Sequence, residues 1–149
     1  METNILEILK DEHNEILQIL NRIERSHEIP AKKAAFQEVK QKIYAHMEAE
    51  ELTLYANLKG QKIDNASHLA EDAEFEHRQI KDSFEILEGL EFNSEDWCEM
   101  FSDIKSSIEE HVSFEESTLF AEAKEDFSVG QLLHFSKNYL ETKERTINL

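Results

Sequence analysis

Two stretches of this chain are copies of one pattern, and that duplication constrains the fold more than any other feature. Residues 36–59, FQEVKQKIYAHMEAEELTLYANLK, lie over residues 101–124, FSDIKSSIEEHVSFEESTLFAEAK, at an offset of 65, and ten of the 24 positions are identical. The shared string, F-x-x-(V/I)-K-x-x-I-x-x-H-x-x-x-E-E-x-T-L-(Y/F)-A-x-x-K, holds a histidine and a glutamate four residues later in both copies. An offset of 64 relates His13 to His77, where DEHNEI faces FEHRQI, so the preceding segments share the relation. A helical hairpin therefore occurs twice, and two such hairpins can close around a pseudo-two-fold axis.

Apolar spacing predicts helices throughout. Ile5, Leu6, Leu9, Ile16, Leu17, Leu20 and Ile23 keep the three-and-four rhythm of one buried face and predict a first helix from about Thr3 to Ser26. Pro30 suits the opening turn of a second, whose stripe of Phe36, Val39, Ile43, Met47 and Leu54 runs to a stop at Gly60. Asp64 or Asn65 can cap a third, with Leu69, Ala73, Ile80, Phe84 and Leu87 inward and Gly89 at its end. Asn93 or Ser94 can cap a fourth, which continues through Trp97, Phe101, Ile104, Ile108, Phe114 and Leu119 to about Phe127. Ser128 starts a shorter fifth segment, expected to pack outside the main bundle. Short loops make neighbouring helices antiparallel. The expected fold is all-α: residues 1–149 as one domain, an up-down-up-down four-helix bundle over about 3–127 with an additional helix over about 128–145.

Each of the four bundle helices contributes one histidine, and the separations are nearly equal: 33 residues from His13 to His46, 31 to His77 and 34 to His111. In antiparallel helices such spacing puts all four at similar heights. His13 lies on the stripe of Leu9, Ile16, Leu17 and Leu20, His46 follows Val39 and Ile43, His77 sits with Ala73, Ile80 and Phe84, and His111 follows Ile104 and Ile108. Glu50 and Glu115 are one turn on from His46 and His111, about 40° round the helix, and share the inner face. Burying four imidazoles and two carboxylates without partners would cost several kcal/mol. Two divalent cations would offset that cost, since imidazole suits iron, zinc and copper, and a glutamate between two ions can bridge them. The candidate metal ligands are thus His13, His46, Glu50, His77, His111 and Glu115. A hydrogen-bonded core histidine is the commoner fate of any one of these residues. The four inward histidines, the two H-x-x-x-E pairs and the duplication favour the metal only jointly. His27, His68 and His134 are expected to lie outside the site, and Glu74, three residues before His77, is a weaker candidate.

The 33 Asp and Glu against 16 Lys and Arg give a net charge of −17, which argues against binding nucleic acid or an anionic membrane surface. Most of those carboxylates are expected on solvated faces. The one cysteine, Cys98, allows neither an internal disulfide nor a cysteine metal cage. Without an apolar leader or a long apolar run, a soluble cytoplasmic protein is expected. No Ser–His–Asp or Cys–His nucleophile pattern and no Gly-rich phosphate loop occurs, so a metal- and small-oxidant-binding protein is favoured over a dedicated enzyme. Tyr44, Tyr55 and Trp97 read as ordinary aromatics, with a radical or proton relay as the alternative.

At His13, the H-x-x-x-E of His46 and Glu50, His77, and the H-x-x-x-E of His111 and Glu115, the sequence resembles the hemerythrin-like, or HHE cation-binding, family. The resemblance covers about residues 5–124. It implies a non-haem di-iron centre, oxo- or hydroxo-bridged, in which Glu50 and Glu115 bridge the irons and the four histidines are terminal ligands. It also departs from the oxygen-carrying members, which have a fifth histidine one turn before the third-helix ligand, where this chain has Ala73. The equivalent position in the first helix is Leu9, so coordination positions are left open. The four-His, two-Glu set is more similar to the di-iron domain of iron–sulfur cluster repair proteins, though their additional cysteine-containing N-terminal domain has no counterpart here.

The leading expectation is a di-iron protein that binds or reacts with O₂, peroxide or nitric oxide. The alternatives are iron handling or an iron-responsive stability switch without redox turnover, and a bundle carrying zinc or no metal. Leu132, Leu133, Phe135 and Tyr139 in the last segment could cap the bundle or form a homodimer contact.

Overall fold

The computed structural model describes residues 3–147, all of whose regular structure is helical. Helix α1 spans Ile5–Arg25. Helix α2 spans Ile29–Glu50 and continues through a π-helical turn, Glu51–Tyr55, into Ala56–Gly60. Helix α3 spans Asp64–Glu88. Helix α4 spans Glu95–Phe114 and continues through a second π-helical turn, Glu115–Leu119, into Phe120–Asp126. Helix α5 spans Val129–Ile147. The first four form an up-down-up-down bundle in which α1 packs on α2 and α4, and α3 packs on α4 and the end of α2.

The helix starts follow local chemistry. Asn4 caps α1 by accepting from the Glu7 amide at 3.1 Å, and Ser94 caps α4 by accepting from the Trp97 amide at 3.1 Å. Ser128 and Gln131 form a reciprocal box at the start of α5: the Gln131 amide donates to Ser128 Oγ and the Ser128 amide to Gln131 Oε1. One expected boundary differs. Ile63 occupies the cap position of α3, and Asp64 is already helical, its carboxylate set near the positive end of the helix dipole. Gly89 closes α3 at its C-cap, as expected, with a right-handed φ of −78°; the left-handed residue before α4 is Asn93, at φ 64°.

The interior divides into two apolar clusters. One gathers Ile5, Leu9, Leu54, Leu58, Ala66, Ala70, Ala73, Leu119 and Phe120. The other gathers Ile16, Leu20, Val39, Ile43, Ile80, Phe84, Trp97, Phe101, Ile104 and Ile108. Leu69 and Leu17, expected inward, are only half-buried; Ala66, Ala70 and Ile19 take the inner positions.

Helix α5 packs on α1 and α2, and Leu132, Phe135 and Tyr139 join the first cluster. It packs against the outside of the four-helix bundle, as expected, and adds to the core. No helix among the described residues is long and apolar enough to cross a membrane.

Candidate metal centre

Between the two apolar clusters lies one buried polar layer, made of the six residues singled out by the repeat. His13, His46, His77 and His111 are at most 6% exposed, and Glu50 and Glu115 are fully buried. His27, His68 and His134 are on the surface. Glu74 is turned away, paired with Lys59 at 2.7 Å.

Each imidazole presents Nε2 to the centre. His46 and His77 place it 3.6 and 3.3 Å from Glu50 Oε1, His13 3.4 Å from Glu115 Oε1, and His111 3.1 Å from Glu115 Oε2. The atoms sort into two groups that share both carboxylates: His13, His46, Glu50 and Glu115, and His77, His111, Glu50 and Glu115, with ligand atoms in each group within 4.8 Å of one another. His13 Nε2, His46 Nε2, Glu50 Oε2 and Glu115 Oε1 are buried without any hydrogen-bond partner. Such atoms would lose their hydration for nothing unless a cation took their lone pairs. Nitrogen and oxygen donors in this number suit two divalent cations, so the donor set fits a metal pair.

The outward nitrogens are all engaged, and in each case by a glutamate. His13 Nδ1 donates to Glu116 at 2.7 Å, His46 Nδ1 to Glu12 at 2.8 Å, His77 Nδ1 to Glu51 at 3.1 Å and His111 Nδ1 to Glu76 at 2.7 Å. A carboxylate on Nδ1–H leaves Nε2 as the lone-pair nitrogen, fixes the ring and raises its basicity as a ligand. The four glutamates obey the duplication: Glu12 and Glu76 precede His13 and His77, while Glu51 and Glu116 follow Glu50 and Glu115. None was singled out from the sequence, although the E-H and E-E pairs stand in the aligned strings.

The π-helical turns explain the place of Tyr55, which the sequence presents as an ordinary aromatic. At about 100° per residue an α-helix would carry a side chain five positions on roughly 140° away from Glu50. The wider turn, with its i→i+5 hydrogen bonds, brings Tyr55 back over it. The Tyr55 hydroxyl meets Glu50 Oε1 at 2.9 Å, Glu115 Oε2 at closer range and His77 Nε2 at 3.3 Å. Tyr55 stands on the apolar side of the layer where Ala73 offers no ligand.

Charge in the metal-free layer is shared unevenly. Burial, reinforced by the neighbouring Glu115 charge, pushes Glu50 well above the ordinary carboxylate range. Burial works against a charge on His111, but Glu115 and Glu76 outweigh it and hold the ring up at about 9. Burial pushes His46 and His77 down. Burial also opposes the charge on Glu12, yet His46, Lys143 and Tyr139 hold it at about 2. The last two belong to α5: Tyr139 donates to Glu12 Oε1 and Lys143 to Glu12 Oε2, so the C-terminal helix grips a carboxylate that orients His46.

The hemerythrin HHE cation binding domain matches residues 4–123. Among solved structures, a hemerythrin HHE cation binding domain-containing protein from Mycobacterium kansasii shares the fold at a TM-score of 0.85 and 20% identity, with 98% of this chain and 88% of that one covered. No curated protein matches. With the match spanning the four bundle helices and the buried histidine and glutamate layer at their centre, the chain belongs to the hemerythrin HHE cation-binding domain family.

Proposed function

We propose that the layer holds two iron ions, with Glu50 and Glu115 shared between them and His13, His46, His77 and His111 as terminal ligands, and that this pair binds or reacts with O₂, peroxide or nitric oxide. The observation that carries the proposal is the convergence of buried, unpartnered Nε2 and carboxylate atoms into two groups with a common pair of glutamates. When bound, iron would supply Lewis acidity and one-electron redox chemistry at positions that Ala73 and Leu9 leave without a protein ligand. The chain's own residues bind and orient. Four glutamates fix the imidazoles, Tyr55 offers a hydroxyl to the carboxylates, and the apolar clusters exclude water from either side. Sensing, storage or protection against oxidants in a reducing cytoplasm all follow from such chemistry.

Anaerobic reconstitution with Fe(II) tests this reading. Two irons per chain, with near-ultraviolet bands of a diferric pair after exposure to O₂, are expected; a faithfully loaded protein that stays colourless and inert would sink it. An iron-handling role without redox turnover is the second reading, favoured by the link from α5 through Glu12 to His46. A metal-dependent rise in melting temperature without reactivity toward O₂, peroxide or nitric oxide would select it.

A further inference from the structure

Two recesses on the bundle surface are equivalent by the duplication, and they are unequal in size. On the α3–α4 side a recess of about 240 Å³ is lined by Glu76, Gln79, Ile80, Ser83, Ser107 and Glu110. On the α1–α2 side the equivalent positions Glu12, Glu15, Ile16 and Lys42, together with Lys143 of α5, enclose only about 10 Å³. The pairs Glu12 and Glu76, Glu15 and Gln79, and Ile16 and Ile80 are each 64 apart, and Lys42 and Ser107 are 65 apart.

Inside, a cavity of about 20 Å³ lies against the four histidines, walled by Ile16, Ile43, Met47, Ile80, Ile108 and Val112. A space of that order holds one water or a diatomic molecule. Ile80 lines both this cavity and the large recess, and is itself 4% exposed; Ile16 lines both the cavity and the small recess. On each side a single isoleucine thus separates the metal centre from the surface.

The difference in size has a local cause. Lys42 pairs with Glu15 at 2.7 Å across the α1–α2 side, and Lys143 lays its ammonium on Glu12 at 2.5 Å. On the α3–α4 side, Ser107 is too short to cross and Gln79 carries no charge, and among the lining residues none comes from α5.

We propose that small neutral molecules reach the metal centre through the α3–α4 recess past Ile80, and that the equivalent way past Ile16 is closed by Lys42 and α5. Ile80 is then the gating residue, and a χ1-restricted β-branched side chain makes a narrow gate. Glu76 and Glu110 place two carboxylates at the recess, which repel anions and leave a neutral diatomic molecule or hydrogen peroxide unhindered. The inference rests on the reading of the layer as a site for small oxidants.

Nitric oxide association with the anaerobic diferrous protein, followed by stopped flow, tests it. Ile80→Val is expected to raise the association rate by about tenfold, as a barrier lowered by about 1.4 kcal/mol would. Ser107→Trp, on an exposed position, is expected to lower the rate by a similar factor, while Ile16→Val leaves it unchanged. Azide association with the diferric form should rise in Glu110→Gln, with nitric oxide unaffected. Equal rates for Ile80→Val and Ile16→Val, or an unchanged rate in Ser107→Trp, would overturn the route while leaving the site intact. Failure of the loaded wild-type protein to bind nitric oxide or azide at all would overturn the parent reading and the route together.

Discussion

Tyr55 and Phe120 occupy equivalent positions in the two halves of the bundle, yet one places a hydroxyl on the shared carboxylates and the other stacks its ring on His13 at 6.2 Å. The pair breaks the two-fold symmetry of the layer at its most buried point. Tyr55→Phe removes a hydroxyl that donates to buried carboxylates, and the metal-free protein should lose about 1.5–3 kcal/mol in urea unfolding. The loss should shrink once metal is bound and takes up the same oxygens.

Sharing of Glu50 and Glu115 between the two donor groups separates the effects of ligand removal. His46→Ala or His77→Ala should lower the metal content toward one ion per chain. Glu50→Ala or Glu115→Ala should deplete both. Elemental analysis after loading and desalting checks the difference; equal losses from all four variants would contradict the shared arrangement.

The outer glutamates act on affinity. Glu51→Gln, Glu76→Gln and Glu116→Gln should each weaken metal binding by about 10–100-fold without changing the number of ions held at saturation. Competition against a coloured chelator gives the affinities.

Protons compete with metal at His111. Its metal-free value of about 9 means that the ring must lose a proton before it ligates at neutral pH, so affinity should climb as pH rises toward about 9. Metal-free stability runs the other way. A raised histidine contributes fully below its unfolded value of about 6.5, and the contribution disappears as pH rises through the folded value. Melting temperatures of the metal-free protein across this range should fall, while those of the loaded protein should not follow.

The sequence made the bundle legible because its apolar stripes are unbroken, and the centre legible because histidines on four stripes cannot be read as surface. The outer glutamates were equally visible in the alignment of the two copies. On a chain with 33 acidic residues, though, Glu12, Glu51, Glu76 and Glu116 look like any solvated carboxylate until the facing ring nitrogens are placed. Tyr55 was hidden for a geometric reason, since helical periodicity of about 3.6 residues places it off the inner face. The grip of Tyr139 and Lys143 on Glu12 spans more than 120 positions of chain, and no local pattern announces it.

The two π-helical turns each hold about one residue more than an α-helical turn does, and this sets how the centre responds to a change in chain length. Deleting one residue between Glu51 and Tyr55 would let the wide turn relax into an ordinary one and leave the tyrosine four positions on from Glu50, about 40° round the helix and still over the carboxylates. The helix would remain continuous and the six central side chains in place. A one-residue deletion at either turn is therefore a length change that a bundle of this kind can absorb while keeping its helices, its six central residues and the aromatic side chain above them in register.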